Sequence, residues 1–225
     1  MKTIVFTSVL CLAASLAPAQ NLLVNGDFNT PSTILSSSGG ENYAATPTGW
    51  TTWTYSPNND VWVNHQQDNT YSYDGSFYMG LGNFGGSGDA CGFYQTVPGT
   101  AGTTYNLSVE SGVQNWWWPE GEMRLFFLDA SNDILGQQIE NVTTSITGYD
   151  QGLPWTQYSV SATAPAGTAQ VKVEFAVNYN TSSGGGGTVF FDDAVLTAVP
   201  EPSTCAVLAL GGLALMGYRR LSRRS

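Results

Sequence analysis

The chain has 225 residues, 42% hydrophobic and only 11% charged, with a formal net charge of −10 and a pI of about 4.2. Nucleic-acid binding is excluded because no basic footprint is present, and disorder is disfavoured by 7 Trp, 11 Tyr and 10 Phe. A single histidine, His65, removes multi-histidine metal sites, and the length fits one domain with extensions.

The N-terminal stretch reads as a secretory signal helix over residues 1–19. Lys2 supplies the positive start, Ile4 to Leu16 the apolar run, and Ala17-Pro18-Ala19 a small-residue cleavage site. Cleavage is expected between Ala19 and Gln20. The apolar run is shorter than the roughly 20 residues that span a bilayer, which disfavours a permanent anchor.

Residues 20–198 read as one domain rich in β-strands. Tyr105 to Glu110 and Gln157 to Ala162 alternate between apolar and polar, and Arg124–Leu128 and Val171–Val177 are stronger strands. Turns are signalled at Val97-Pro98-Gly99, Asp129–Asp133 and Ala164–Gly167. Short strands without an amphipathic helix predict an all-β fold, a single antiparallel β-sandwich of jelly-roll type. Between residues 20 and 199 lie 16 of the 17 acidic residues against Arg124 and Lys172 alone, a balance of −14. Cys91 is alone in this span, since Cys11 lies in the signal and Cys205 in the tail, and is expected to be a buried thiol. His65 reads as a surface or turn histidine.

Asn21 to Asn29, Trp50, Trp53, Asp74 to Leu81 and Val189 to Leu196 together resemble carbohydrate-binding modules with a galactose-binding-like jelly roll. The resemblance spans about residues 21–197 and makes Asn21–Asn29 the opening strand and Val189–Leu196 the closing one. It implies a structural Ca2+ where the first and last strands meet. By position, Asp27 would offer a backbone carbonyl, Asn29 a side-chain oxygen, and Asp192 a carboxylate, with Asp74 closing the site. Asn29 stands where a glutamate is common, which weakens the set. The alternative is that these are ordinary polar residues of strand edges and turns.

Sugar rings expose C–H faces that stack on aromatic side chains, while amides bond their hydroxyls. Trp116, Trp117 and Trp118, flanked by Gln114 and Asn115, cannot all point inward from a strand. At least one is therefore expected in a loop or at the surface. Trp62, Tyr71, Tyr73 and Trp155 are candidates to complete a platform, with burial in the core the alternative for Trp50, Trp53 and Trp155. Glu120 and Glu122 would share a strand face, but no wider catalytic motif surrounds them, so no catalytic residue is assigned.

The tail has three parts. Val199-Pro200-Glu201-Pro202-Ser203 precedes an apolar stretch, residues 204–218, and Arg219-Arg220-Leu221-Ser222-Arg223-Arg224-Ser225 closes the chain. As a helix, the 15 apolar residues would reach about 22 Å, short of a hydrocarbon core of about 30 Å. Pro200, Glu201 and Pro202 followed by that helix and an arginine cluster resemble the PEP-CTERM sorting tail of Gram-negative bacteria. The resemblance implies transient insertion in the inner membrane, processing by an exosortase, and delivery to the outer surface or an exopolysaccharide matrix. The sequence thus describes an exported, sorted protein with a non-catalytic carbohydrate-binding domain and polysaccharide as partner. A structural matrix or adhesion protein without a small ligand and a glycan-active hydrolase are the alternatives.

Overall fold

The computed structural model describes residues 20–31, 33–38, 41–56, 61–68, 71–114, 119–143, 155–178 and 187–200. The expected signal helix and the apolar helix and basic end of the tail lie outside them. Among the described residues there are only strands, turns and irregular segments, and no helix is long and apolar enough to cross a membrane. The strands are β1 (Ile34–Ser38), β2 (Glu41–Ala44), β3 (Thr51–Tyr55), β4 (Val61–Gln67), β5 (Tyr78–Asn83) and β6 (Ala90–Pro98). They continue with β7 (Thr103–Gln114), β8 (Glu120–Leu128), β9 (Ile134–Asn141), β10 (Thr156–Thr163), β11 (Gln170–Asn178) and β12 (Gly187–Pro200).

Two antiparallel sheets form a sandwich. A seven-stranded sheet runs β1-β2-β4-β5-β12-β7-β10 and a five-stranded sheet runs β3-β6-β11-β8-β9. The strands expected at Tyr105, Arg124, Gln157, Val171 and Val189 fall within β7, β8, β10, β11 and β12. Alternation sorts their side chains. Leu107, Val109, Leu125, Val173, Phe175, Val189 and Phe191 all enter the core between the sheets. Trp50, Phe93, Phe175 and Phe191 form its aromatic centre, with Phe93 and Phe175 ring centroids 5.2 Å apart and Phe175 and Phe191 5.0 Å apart. Cys91 is fully buried, as expected, and its thiol is pushed up to about 12 by burial.

Two local expectations need correction. Asn21–Asn29 forms a series of turns rather than a strand, because Asn25 and Phe28 adopt left-handed backbone angles, φ 53° and 52°. The segment still lies along the last strand. Leu22 N donates to Leu196 O (2.8 Å), and Ala194 N donates to Gly26 O (2.8 Å). Only glycine permits that approach, since a Cβ at Gly26 would sit 2.2 Å from Ala194 O. His65 is not at the surface: it lies within β4, 3% exposed, with its ring nitrogens 2.9 Å from Ala45 O and 2.8 Å from Phe28 O. Burial lowers its pKa, against the two carbonyl contacts. A neutral ring has one N–H, so it can donate to only one of these carbonyls at a time.

Asn21 is the clasp between the two ends of the domain. Its Oδ1 accepts from Leu23 N (3.1 Å) and Leu196 N (2.9 Å), and its Nδ2 donates to Ala194 O (2.9 Å). Asn21→Ala leaves these partly buried backbone groups without partners, and is expected to cost about 1–3 kcal/mol. Urea unfolding checks this; a midpoint equal to that of the wild type would contradict it.

Candidate functional site

The outward face of the seven-stranded sheet carries a group of aromatic side chains. Val61 and Val63 pack against the core, so Trp62 between them points out. Trp62 stands opposite Gly82 in the β4–β5 register, and its indole lies directly over that glycine. A Cβ at Gly82 would be 2.1 Å from Trp62 Cε2, and one at Gly80 would be 3.1 Å from Cζ3. The two glycines therefore let the ring lie close against the strand. Phe190 lies on the same face, between the core residues Val189 and Phe191, and is covered by Tyr71, whose ring stacks on it at 5.3 Å. Trp155 lies 5.5 Å from Tyr73 and 6.2 Å from Tyr78. Tyr73 is 42% exposed and is the open edge of the group.

A buried polar network holds this surface in place. The Tyr78 hydroxyl donates to Asp68 Oδ2 and accepts from Gln66 Nε2. Asp68 Oδ1 also accepts from Tyr71 N (2.5 Å), and Gln114 Nε2 donates to Tyr71 Oη (2.8 Å). Burial first, and then the bond to Asp68, hold the Tyr78 phenol far above its usual range. Asp68 thus ties the start of the Tyr71–Phe77 segment to β5.

An acidic cluster adjoins the open edge. β12 carries a bulge between Asp192 and Val195, where Asp193 adopts φ 48°. Asp192 is 1% exposed. Its Oδ1 accepts from Asp193 N (2.8 Å), while its buried Oδ2 has no hydrogen-bond partner. Burial pushes its carboxyl up to about 8, with the charges of Asp193, Asp74 and Asp27 adding to the effect. Asn29 is brought to the same segment, its Oδ1 accepting from Phe77 N (3.1 Å). Glu110 is raised first by burial and then by Asp193. Among the described residues, no three carboxylate, imidazole or thiol groups form a ready-made metal cage.

The residues named from the sequence fall into three groups. Trp62, Gln114 and Tyr73 belong to the aromatic face, together with Tyr71 and Trp155. Asp27, Asp74 and Asp192 interact electrostatically in the acidic cluster. Asn115, Trp116, Trp117 and Trp118 lie outside the described residues, as do Ala19, Glu201 and Pro202, whereas Gln20 and Pro200 are described. Trp50 is in the core; Trp53 instead lies over Gly92 on the outer face of the five-stranded sheet. Sequence reasoning missed Phe190, Tyr78 and Glu110. The alternation of β12 was the signal for Phe190, since Phe190 and Phe191 must take opposite faces.

The PEP-CTERM protein-sorting motif matches residues 198–224. No curated protein matches the chain in sequence. Among solved structures, the chain is similar to the enzymatically active domain of bacteriophage CBA120 tailspike protein 4, with a TM-score of 0.55 and 17% identity over 80% of this chain and 21% of that one. It is also similar to an arabinose-bound α-L-arabinofuranosidase, MgGH51, with a TM-score of 0.50 and 17% identity over 79% of this chain and 26% of that one. A third structure, TmCBM61 in complex with β-1,4-galactotriose, covers 80% of this chain and 100% of that one at 16% identity and a TM-score of 0.47. The chain thus spans about a fifth and a quarter of the first two. At these identities the likeness is one of fold. The structural neighbours include carbohydrate-binding modules with a β-sandwich fold.

Asp192 gives the fold a pH dependence in chelator. With a carboxyl pushed up to about 8, the folded protein holds a proton that the unfolded chain releases near pH 4. Stability should therefore fall as pH rises between about 4 and about 8. Asp192→Asn should flatten that slope in thermal unfolding, and an unchanged slope would assign it elsewhere.

Proposed function

We propose that residues 20–200 form a non-catalytic carbohydrate-binding sandwich that is exported through the N-terminal signal and handed to an exosortase-type enzyme by the C-terminal motif. One observation carries the binding reading: Trp62 lies against a strand whose facing residues are glycines. A ring held this way offers its other face to a ligand, and Tyr73 with Trp155 adds a second aromatic edge. Rings held in place by a scaffold can stack on sugars with little ordering cost. Gln114 and the hydroxyl of Tyr71 supply hydrogen-bonding groups beside them. The motif match at residues 198–224 supports sorting to the cell surface or a polysaccharide matrix, with membrane insertion during processing.

The same reading assigns a Ca2+ to the acidic cluster. The orphaned Oδ2 of Asp192 and the charges of Asp27 and Asp74 around it fit a hard cation. Asp192 and Asp74 would hold it with side-chain oxygens, Asn29 with its amide, and Asp27 with its backbone carbonyl. The ion would neutralise the cluster and fasten the Asn25–Thr30 turn to β12. Glu120 and Glu122, the carboxylate pair closest in sequence to a hydrolytic arrangement, belong to β8 of the other sheet, where Arg124 binds Glu122 (2.5 Å). That position favours binding over catalysis.

Two measurements test the proposal. A glycan array should show binding that falls at least tenfold in Trp62→Ala, with a matching loss in the Trp117→Ala, Trp118→Ala double variant. Self-association without glycan binding would favour a structural matrix role, and polysaccharide turnover abolished by Glu120→Gln or Glu122→Gln would favour an enzyme. For the metal, free calcium at about 100-fold its Kd should add about 2.7 kcal/mol, roughly 5–10 °C in melting temperature for a domain of this size. A melting curve indifferent to calcium and chelator would remove the ion from the account.

A further inference from the structure

Positive charge and aromatic platform are segregated on opposite sheets. Between residues 20 and 199 the only lysine or arginine side chains are Arg124 and Lys172. Their strand neighbours Leu125 and Val173 enter the core, so both point outward from the five-stranded sheet. Both are also consumed there. Arg124 pairs with Glu122 (2.5 Å) and Glu174 (2.7 Å), and Lys172 pairs with Glu174 (2.6 Å). The Lys172 ammonium also sits over the rings of Tyr94 (4.7 Å) and Phe126 (5.0 Å). None of this charge reaches the platform.

The platform has the opposite surroundings. Glu110 on β7 stands across from Asp192 in the β7–β12 register, on the outward face, and accepts from Gln157 Nε2 at 3.1 Å. Asp193 is exposed in the bulge beside it. The influence of Glu110 on Tyr73, followed by burial and then by Asp193, Asp192 and Asp74, holds the exposed Tyr73 phenol above its usual range. The open aromatic edge is therefore flanked by carboxylates, with no lysine or arginine beside them among the described residues. Asp192, whose buried Oδ2 has no hydrogen-bond partner, also has no ion pair among the described residues. A bound calcium would neutralise Asp192 and Asp74. It would leave Glu110 at the rim.

We infer that the platform sorts glycans by charge, taking polysaccharides that bear free amines most tightly, neutral ones next, and uronate-bearing or sulfated ones least. The inference rests on the carbohydrate-binding reading and adds the chemical class of the ligand. Its physical basis is short-ranged: charges beyond a Debye length of about 8 Å are screened at physiological salt. The selection must therefore come from Glu110 and Asp193 at the edge rather than from the domain's overall charge. Each exposed charge contact changes affinity by up to about fivefold.

Three polymers with one β-1,4-glucan backbone isolate the effect: chitosan, hydroxyethyl cellulose and carboxymethyl cellulose, compared by affinity electrophoresis near pH 6 at low and high salt with calcium present. Chitosan should bind about fivefold more tightly than the neutral polymer and the carboxymethyl polymer about fivefold more weakly, with both gaps shrinking as salt rises. Glu110→Gln with Asp193→Asn should narrow both gaps, and Trp62→Ala should weaken all binding. Equal binding of the carboxymethyl and neutral polymers overturns the inference. So does a chitosan preference that survives the double variant, because it would then reflect the general acidity of the domain. If binding depends on Trp62 but not on polymer charge, the inference fails and the carbohydrate reading stands. If Trp62→Ala leaves binding to all three unchanged, or neither these polymers nor the glycan array shows any binding, the carbohydrate reading fails. Melting temperatures of the isosteric Glu110→Gln and Asp193→Asn variants separate misfolding from lost recognition.

Discussion

β12 is hydrogen-bonded on both flanks, to β5 and to β7, and its side chains alternate between two different environments. Val189 and Phe191 are fully buried between the sheets, where Phe191 meets Phe93 and Phe175. Phe190 points the other way and supports Tyr71. Two residues later the bulge interrupts the alternation. It brings Asp192 beside Asp74 and Asp27 and frees Ala194 to bond the Gly26 carbonyl. Core, platform, acidic cluster and N-terminal clasp all take their positions from this one strand. A shift of one residue in its register would send Phe190 inward and Phe191 into the platform.

The platform is supported from beneath as well as from the side. Cys91 reaches across the sandwich to the carbonyls of Trp62 (3.3 Å) and Gly82 (3.5 Å), so the strands under the indole are backed by the core. The Asp68–Tyr78–Gln66 network does the same for Tyr71. Fully satisfied buried networks make side chains rigid, and rigid aromatic groups lose little entropy on meeting a ligand. The acidic end is built differently. Left-handed Asn25, Phe28 and Asp193 and a carboxylate oxygen without a partner are unfavourable features gathered in one place. Such features persist where the surrounding structure, or a ligand, compensates for them.

Much of the fold was legible because period-two alternation is a local property. Tyr105–Glu110 and Gln157–Ala162 declare their strands, whereas their pairing as β7 and β10 was not legible. Asn21–Asn29 misled because the resemblance that made it a strand does not carry its two left-handed residues, and the segment is held by contacts with Ala194 and Leu196, 173 or more residues away. His65 misled for the same reason: its burial is set by Phe28 and Ala45 rather than by its neighbours in β4. In the site, aromatic residue types were informative and their faces were not. Trp53 and Trp62 look alike in sequence, yet they lie on the outer faces of opposite sheets.

The sandwich and the sorting motif are not separated by a linker. The motif match begins at residue 198, while β12 continues to Pro200, with Ala198, Val199 and Pro200 paired to Tyr105, Thr104 and Thr103 of β7. Three residues therefore belong to both the sheet and the motif. Cleavage beyond Pro200 leaves every rung of β12 in place, whereas cleavage before Ala198 would strip the last three from the strand that organises the domain. In sequence, the acidic span, −14 between residues 20 and 199, runs without a break into a tail that carries four arginines near its end. Removing that tail leaves a more acidic protein than the whole-chain charge suggests. The two cations between residues 20 and 199 are already paired on the sheet opposite the aromatic face.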